Sequence, residues 1–250
     1  MIKQKLQNAS QITVIVHGWK ESMSDRNTKS WSWPLINSLV GQPGHMVLFL
    51  DWENGAKSTL LRPYSKAAIN TQTVGKWLGN KLARTFEINF NKTKTHCIGF
   101  SLGAHVCGIA GYTISKQNGQ KWSRISGLEP PYQRFNAKSN VDRLDYYDAD
   151  FVDIIITSQL ALHDSIIGHL VIIVNKGNRK WGKIQPDCSA LDFDFGKCSH
   201  GRAAALYAWS AANSEDCYYS QSMQNHVGYR ATFQRGTWYV SSKEYPYCIY

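Results

Sequence analysis

The sequence predicts an α/β domain in which helices flank a central, mostly parallel sheet. Short apolar runs of strand length alternate along the chain with longer amphipathic or small-residue stretches, the order that gives parallel pairing through helical crossovers. At 250 residues and 43% hydrophobic content, the chain can bury one sizeable core. No repeat, low-complexity stretch or linker divides it, so residues 1–250 are expected to form a single domain.

Each element follows from its local pattern. Gln11 to Val16 reads as a buried strand running into His17-Gly18-Trp19. Ser30 to Val40 has helical spacing, with Trp33, Ile36, Leu39 and Val40 on one face. Met46 to Asp51 is a second apolar strand. Tyr64 to Phe86 is a long amphipathic helix with Ala68, Thr71, Val74, Gly75 and Leu78 along one stripe. Thr95 to Phe100 is a third strand, and Ala104 to Tyr112 a helix whose small residues suit packing on a sheet. Arg124 to Leu128, Phe151 to Thr157 and Gly168 to Val174 are further strands, and Arg202 to Ala212 the last clear helix. The remainder suffices for a terminal hairpin with Thr237 to Val240 as one strand.

No apolar run reaches the ~18 residues that a membrane span needs. The net charge of +10 and pI near 9.3 favour anionic surfaces in general. Lysine and arginine are spread without a long basic run, so the charge reads as solubility and no nucleic-acid partner is expected. Cys97 and Cys107 lie in apolar surroundings and read as buried free thiols. Cys188, Cys198, Cys217 and Cys248 sit in polar, loop-like segments and could form two disulfides. The sequons Asn8-Ala9-Ser10 and Asn91-Lys92-Thr93 lean toward secretion. The apolar stretch Ile12 to Val16 after Lys3 and Lys5 is too short for a signal peptide. Either a leader has been removed or the N-terminus is incomplete.

The chemistry is carried by Gly99-Phe100-Ser101-Leu102-Gly103, a GxSxG turn between a strand and a small-residue helix. The glycines allow a sharp turn that exposes the serine at the carboxyl end of the strand, the nucleophile elbow of the α/β-hydrolase fold. Ser101 then starts the helix, with the Leu102 N–H facing a developing oxyanion. The second donor should come from a loop after an earlier strand, and the Trp19 N–H of His17-Gly18-Trp19 fits it. His17 reads as a buried hydrogen-bonding residue of that turn.

In this fold the chain order is serine, then Asp or Glu, then histidine, which leaves His163, His169, His200 and His226 as the base. His200 is favoured, because it precedes a helix and follows a loop that Cys188 and Cys198 could close. His169, in a strand-like run, reads as structural.

Several segments together resemble the pancreatic-lipase family, most of all its insect neutral lipases and phospholipases A1. They are Val14 to Trp19, Asp51-Trp52, Gly99 to His105, Gly127-Leu128-Glu129-Pro130, Arg143 to Asp153 and Cys198-Ser199-His200-Gly201-Arg202. The resemblance runs from about residue 8 to the C-terminus. It implies a Ser101–Glu129–His200 triad and selects the same histidine. The family has Asp in the turn that here holds Glu129, and the extra methylene displaces the carboxylate by about 1.5 Å. Arg143, Asp145 and Asp148 resemble the family's calcium loop, with the two aspartates as hard oxygen ligands; Asp145 and Asp148 are also weaker candidates for the acid. Cys188–Cys198 matches the family's lid disulfide, around a short lid containing Leu191, Phe193 and Phe195. Cys217–Cys248 is expected to tie down the terminal hairpin. Relative to the family, the chain is expected to be truncated at its N-terminus and to lack a C-terminal β-sandwich domain.

These features imply a secreted, extracellular carboxylic ester hydrolase acting on phospholipid or acylglycerol at a lipid or membrane surface. It would need no cofactor beyond a structural Ca2+; its oligomeric state is left open. The alternative is a noncatalytic lipid-binding or yolk-storage-like protein on the same fold, which yolk-protein relatives lacking the serine illustrate.

Overall fold

The computed structural model describes residues 2–23, 31–57, 63–161, 167–175, 185–188, 197–213 and 215–250. Among them, β1 (Gln11–Val16), β2 (His45–Leu50), β3 (Lys94–Phe100), β4 (Trp122–Leu128), β5 (Ala149–Ile156) and β6 (Leu170–Val174) occupy the predicted apolar runs. Two short strands, β7 (Tyr219–Ser220) and β8 (Asn225–His226), form a small antiparallel pair, and β9 (Gly236–Val240) closes the list. The main sheet has seven strands in the order β2-β1-β3-β4-β5-β6-β9, every neighbour parallel.

Thr237 to Val240 was expected in a terminal hairpin and instead lies in the main sheet. Leu170 to Val174 offers an apolar strand whose outer edge needs a partner, and Gly236 to Val240 pairs along its whole length. The terminal segment beyond it makes an isolated antiparallel bridge, Ser242 to Ile249.

The helices are α1 (Ile2–Gln7), α2 (Ser32–Leu39), α3 (Glu53–Ala56), α4 (Pro63–Asn80), α5 (Leu102–Asn118) and α6 (Lys197–Ala212). The predicted long helix is α4 continued without a break by a π-helical stretch at Lys81–Thr85, so only its last five residues leave the α form. Alternation along the strands divides the core into two layers. Ile12, Val14 and Val16 of β1, with Val152, Ile154 and Ile156 of β5, face α4 and α5. Ile15, Ile98, Phe100 and Ile155 face α2 and α6. A sheet buried on both faces explains why the strands read as near-continuous apolar runs.

Cys97 and Cys107 were expected to be free, yet they form a disulfide with Cα atoms 5.8 Å apart. Cys97 points to the α5 side of β3, and Cys107 lies on the face of α5 that packs back on the strand. The sharp turn between them brings the two opposite each other, in an apolar setting that suits a cystine as well as a thiol. The structure also pairs Cys188 with Cys198 and Cys217 with Cys248.

Candidate active site

In parallel α/β sheets, ligands bind at the carboxyl edge, where the loops leave the strands. Ser101 sits there between β3 and α5, at φ 53° and ψ −126°, a region that costs a non-glycine residue strain. Its neighbours enforce the turn. A Cβ on Gly99 would lie 2.4 Å from the Gly103 carbonyl oxygen, and one on Gly18 would lie 2.9 Å from Ser101 Cβ. The Ser101 N–H donates to the Leu128 carbonyl at 2.8 Å, so the elbow is anchored on the neighbouring strand.

Glu129 follows directly on β4, also at positive φ (52°), and its N–H donates to the Ile155 carbonyl at 2.9 Å. Its side chain is fully buried. Oε1 accepts from the Thr157 and Ser158 N–H groups, the latter at 2.7 Å. Oε2 accepts from Ser158 Oγ at 2.5 Å and faces His200 Nδ1 at 2.9 Å. The longer side chain is thus accommodated by reaching to the end of β5, where two amides and a hydroxyl receive the carboxylate.

His200 lies in the first turn of α6. The Thr157 hydroxyl donates to the Ser199 carbonyl at 2.7 Å, which pins that turn to the end of β5. The His200 ring packs on Phe100, the residue before Ser101, with centroids 4.8 Å apart. A carboxylate only accepts, so His200 Nδ1 carries a hydrogen toward Glu129.

On the other side of Ser101 lies the turn after β1. The Trp52 N–H donates to His17 Nε2 at 3.0 Å, so His17 Nδ1 bears the hydrogen and donates to the Gly18 carbonyl at 2.9 Å. That carbonyl shares a peptide unit with the Trp19 N–H, which points the opposite way across a trans bond. His17 is buried and its second nitrogen is engaged, as a structural residue requires.

The remaining candidates lie elsewhere. His169 Nδ1 accepts from the Val152 N–H at 3.0 Å, and burial, with Arg235 and Lys121 nearby, lowers its pKa. His226 belongs to β8. His163 and the lid residues Leu191, Phe193 and Phe195 fall outside the described residues. Asp145 and Asp148 form a capping box around a 3₁₀ turn rather than approaching His200; Asp148 Oδ2 accepts the Asp145 N–H at 2.7 Å. Both are buried, burial pushes both carboxyls upward, and Arg143 lies 3.7 Å from Asp145. No group of three or more metal-binding side chains occurs among the described residues. The two buried carboxylates offer hard oxygen atoms of the kind Ca2+ takes, and each already accepts an N–H of the turn.

Sequence reasoning missed Thr157 and Ser158, which hold the Glu129 carboxylate from behind. Thr157 and Ser158 follow an apolar strand as ordinary turn residues would, and their partner comes from a different strand end.

A strained serine, a histidine and a carboxylate gathered at one edge of a parallel sheet define an α/β hydrolase. The chain belongs to the lipase family: the family model described as "Lipase" matches residues 2–232. It is 31% identical over 214 residues to a phospholipase A1 from Vespula maculifrons, covering 82% of this chain and 67% of that one. It is 32% identical to a hepatic triacylglycerol lipase from Mus musculus and 31% to lipase member H from Rattus norvegicus. Those matches cover 83% and 81% of this chain but only 42% of each relative. An α/β serine hydrolase without lid from Xanthomonas campestris covers 60% of this chain and 61% of its own at 14% identity and a TM-score of 0.33, too distant to bear on the site.

Proposed function

We infer that the chain is a carboxylic ester hydrolase acting on lipids, a phospholipase A1 or neutral lipase, with Ser101 as nucleophile, His200 as base and Glu129 as the acid. The reading is carried by the 2.9 Å approach of Glu129 Oε2 to His200 Nδ1, on a ring that packs beside the elbow. Named relatives include a phospholipase A1 and a triacylglycerol lipase, which supports lipid esters as the substrate class.

His200 Nε2 takes the proton of Ser101 Oγ as the oxygen attacks the ester carbonyl. The Trp19 and Leu102 N–H groups receive the oxyanion. The intermediate collapses to an acyl-serine, and His200 returns the proton to the departing alcohol of the lipid. Water then repeats the sequence and frees the fatty acid. Glu129 holds the imidazole in one tautomer and balances its transient positive charge. No cofactor enters these steps. Asp145 and Asp148, steadied by Arg143, would hold a Ca2+ that stiffens the loop after β4 away from the reaction.

Disulfides persist in oxidising compartments, and three of them support an extracellular protein working at a lipid or membrane surface. Both sequon asparagines, Asn8 and Asn91, are exposed. The test is labelling with a fluorophosphonate probe and mapping of the modified residue, followed by turnover of phosphatidylcholine micelles against triacylglycerol emulsions. Modification of Ser101 with release of fatty acid is expected. A protein that binds these lipids but neither labels nor hydrolyses them would be a lipid carrier on the same fold.

A further inference from the structure

The turn that carries the Trp19 N–H is gripped at two neighbouring peptides. His17 holds the Gly18 carbonyl. The Gly18 N–H donates to Glu21 Oε2 at 2.7 Å. Lys20, in the left-handed region at φ 60°, turns the chain so that Glu21 faces back toward Gly18. The Trp31 side chain lies near the carboxylate and favours its charged form. Trp31 packs edge-on against Phe100 with centroids 5.7 Å apart, and Phe100 is the ring on which His200 rests. Glu21 therefore binds the turn on one side of Ser101 and lies near the ring stack that leads to His200 on the other. Burial pushes its carboxyl above the ordinary range, while the Gly18 N–H, His17, Trp31 and His200 pull the other way.

We propose that Glu21 is a positioning residue of the oxyanion hole: by holding the Gly18 N–H it keeps the His17–Trp19 turn against Ser101 and the Trp19 N–H aimed at the ester oxygen. The proposal rests on the assignment of Ser101 and Trp19 above. Gly18 is the residue of the turn with the widest backbone freedom, because the approach of Ser101 excludes a side chain there. The peptide plane before it is held by Glu21 at the Gly18 N–H and by the Trp52 indole at the His17 carbonyl (2.8 Å), the plane after it by His17. Without Glu21, the plane before Gly18 keeps only its Trp52 contact on the carbonyl side, and the Trp19 donor loses part of its aim. Such a loss falls on the step where charge develops on oxygen, not on substrate binding.

The test compares kcat and KM for a soluble p-nitrophenyl ester in the wild type, E21A and E21Q, after fluorophosphonate labelling of the wild type. Removing an oxyanion donor outright costs about 10²- to 10³-fold, so a misaimed donor in E21A should cost about 10- to 100-fold in kcat. KM should stay within about 2-fold. E21Q keeps an oxygen that accepts the Gly18 N–H and should recover most of the rate. If E21A does not fold, E21M keeps the side-chain length without an acceptor and carries the same expectation. Wild-type kcat in E21A or E21M, a change confined to KM, or E21Q as impaired as E21A would overturn the role of Glu21 and leave Ser101 standing. A wild type that does not label would overturn the assignment of Ser101 itself.

Discussion

Ser158 Oγ donates to the same Glu129 oxygen that faces His200 Nδ1, at 2.5 Å and 2.9 Å respectively. The Glu129 carboxylate is thus held by residues of the next strand end. This is how a glutamate fits a turn where the family has aspartate: its extra length is spent reaching Thr157 and Ser158. Glu129→Gln removes the charge with little change of shape and should lower kcat by about 10⁴-fold, as loss of the acid does in well-studied triads. Glu129→Asp restores the family residue but falls short of both the Ser158 hydroxyl and His200, so it should also be slower than wild type. Steady-state kinetics on a soluble ester decide both, and a rate untouched by Glu129→Gln would remove Glu129 from the mechanism.

Ser158→Ala tests the support separately. The hydroxyl donates to a buried charged group, an interaction of about 1.5–3 kcal/mol. The His200 contact and both amides remain, so only part of that should reach the transition state. A fall of about 3- to 10-fold in kcat at nearly constant KM is expected. A drop as large as that of Glu129→Gln would mean that Ser158 takes part in the reaction directly.

The fold was legible because it rests on local patterns, and so was the proposed nucleophile turn. The strands from Gln11 to Val174 announce themselves as apolar runs, since the sheet is covered on both faces. The elbow carries its own glycines, and His200 stands out among the four histidines that chain order leaves because it precedes a helix. What escaped notice depends on encounters between distant segments. Ser158 meets Glu129 from another strand, and Gly236 to Val240 joins Leu170 to Val174 through a parallel pairing that no turn signal marks. Cys97 and Cys107 looked like buried thiols because burial alone does not distinguish a thiol from a cystine. Only the folding-back of α5 on β3 does that.

That disulfide closes a short loop around the nucleophile elbow. Replacing both Cys97 and Cys107 by alanine should cost about 2–4 kcal/mol. For a domain of this size, that corresponds to a fall in Tm of roughly 5–15 °C. Peptide mass mapping under non-reducing conditions should find the 97–107 link in the wild type, and calorimetry gives the shift. Alkylation of both residues in the unreduced native protein would contradict the pairing.

Beneath the sheet, on the face covered by α6, His96 is buried with Nε2 2.9 Å from Ser126 Oγ. Ser126 Oγ donates to Asp153, which pairs with Arg124, and also contacts the Tyr207 hydroxyl at 2.9 Å. The Tyr229 ring stacks on His96 at 5.9 Å. Burial, then the positive charge of Arg124 and the neighbouring His45, hold the His96 pKa well below its ordinary 6.5. The native state therefore keeps this ring neutral under conditions where the unfolded chain takes up a proton. With more protons bound by the unfolded state, stability rises with pH in that window. The contribution is complete above pH 6.5 and is lost as pH falls below it, by up to about 1.4 kcal/mol per pH unit. His96→Gln keeps hydrogen-bonding capacity toward Ser126 but cannot titrate. Urea denaturation of both proteins at pH 7.5, 6.5 and 5.5 isolates the effect, because the other groups common to the two proteins cancel in the difference. Between pH 6.5 and 5.5 the wild type should lose about 1 kcal/mol more than the variant. Parallel curves across that range would show that His96 is protonated in the folded protein as readily as in the unfolded chain.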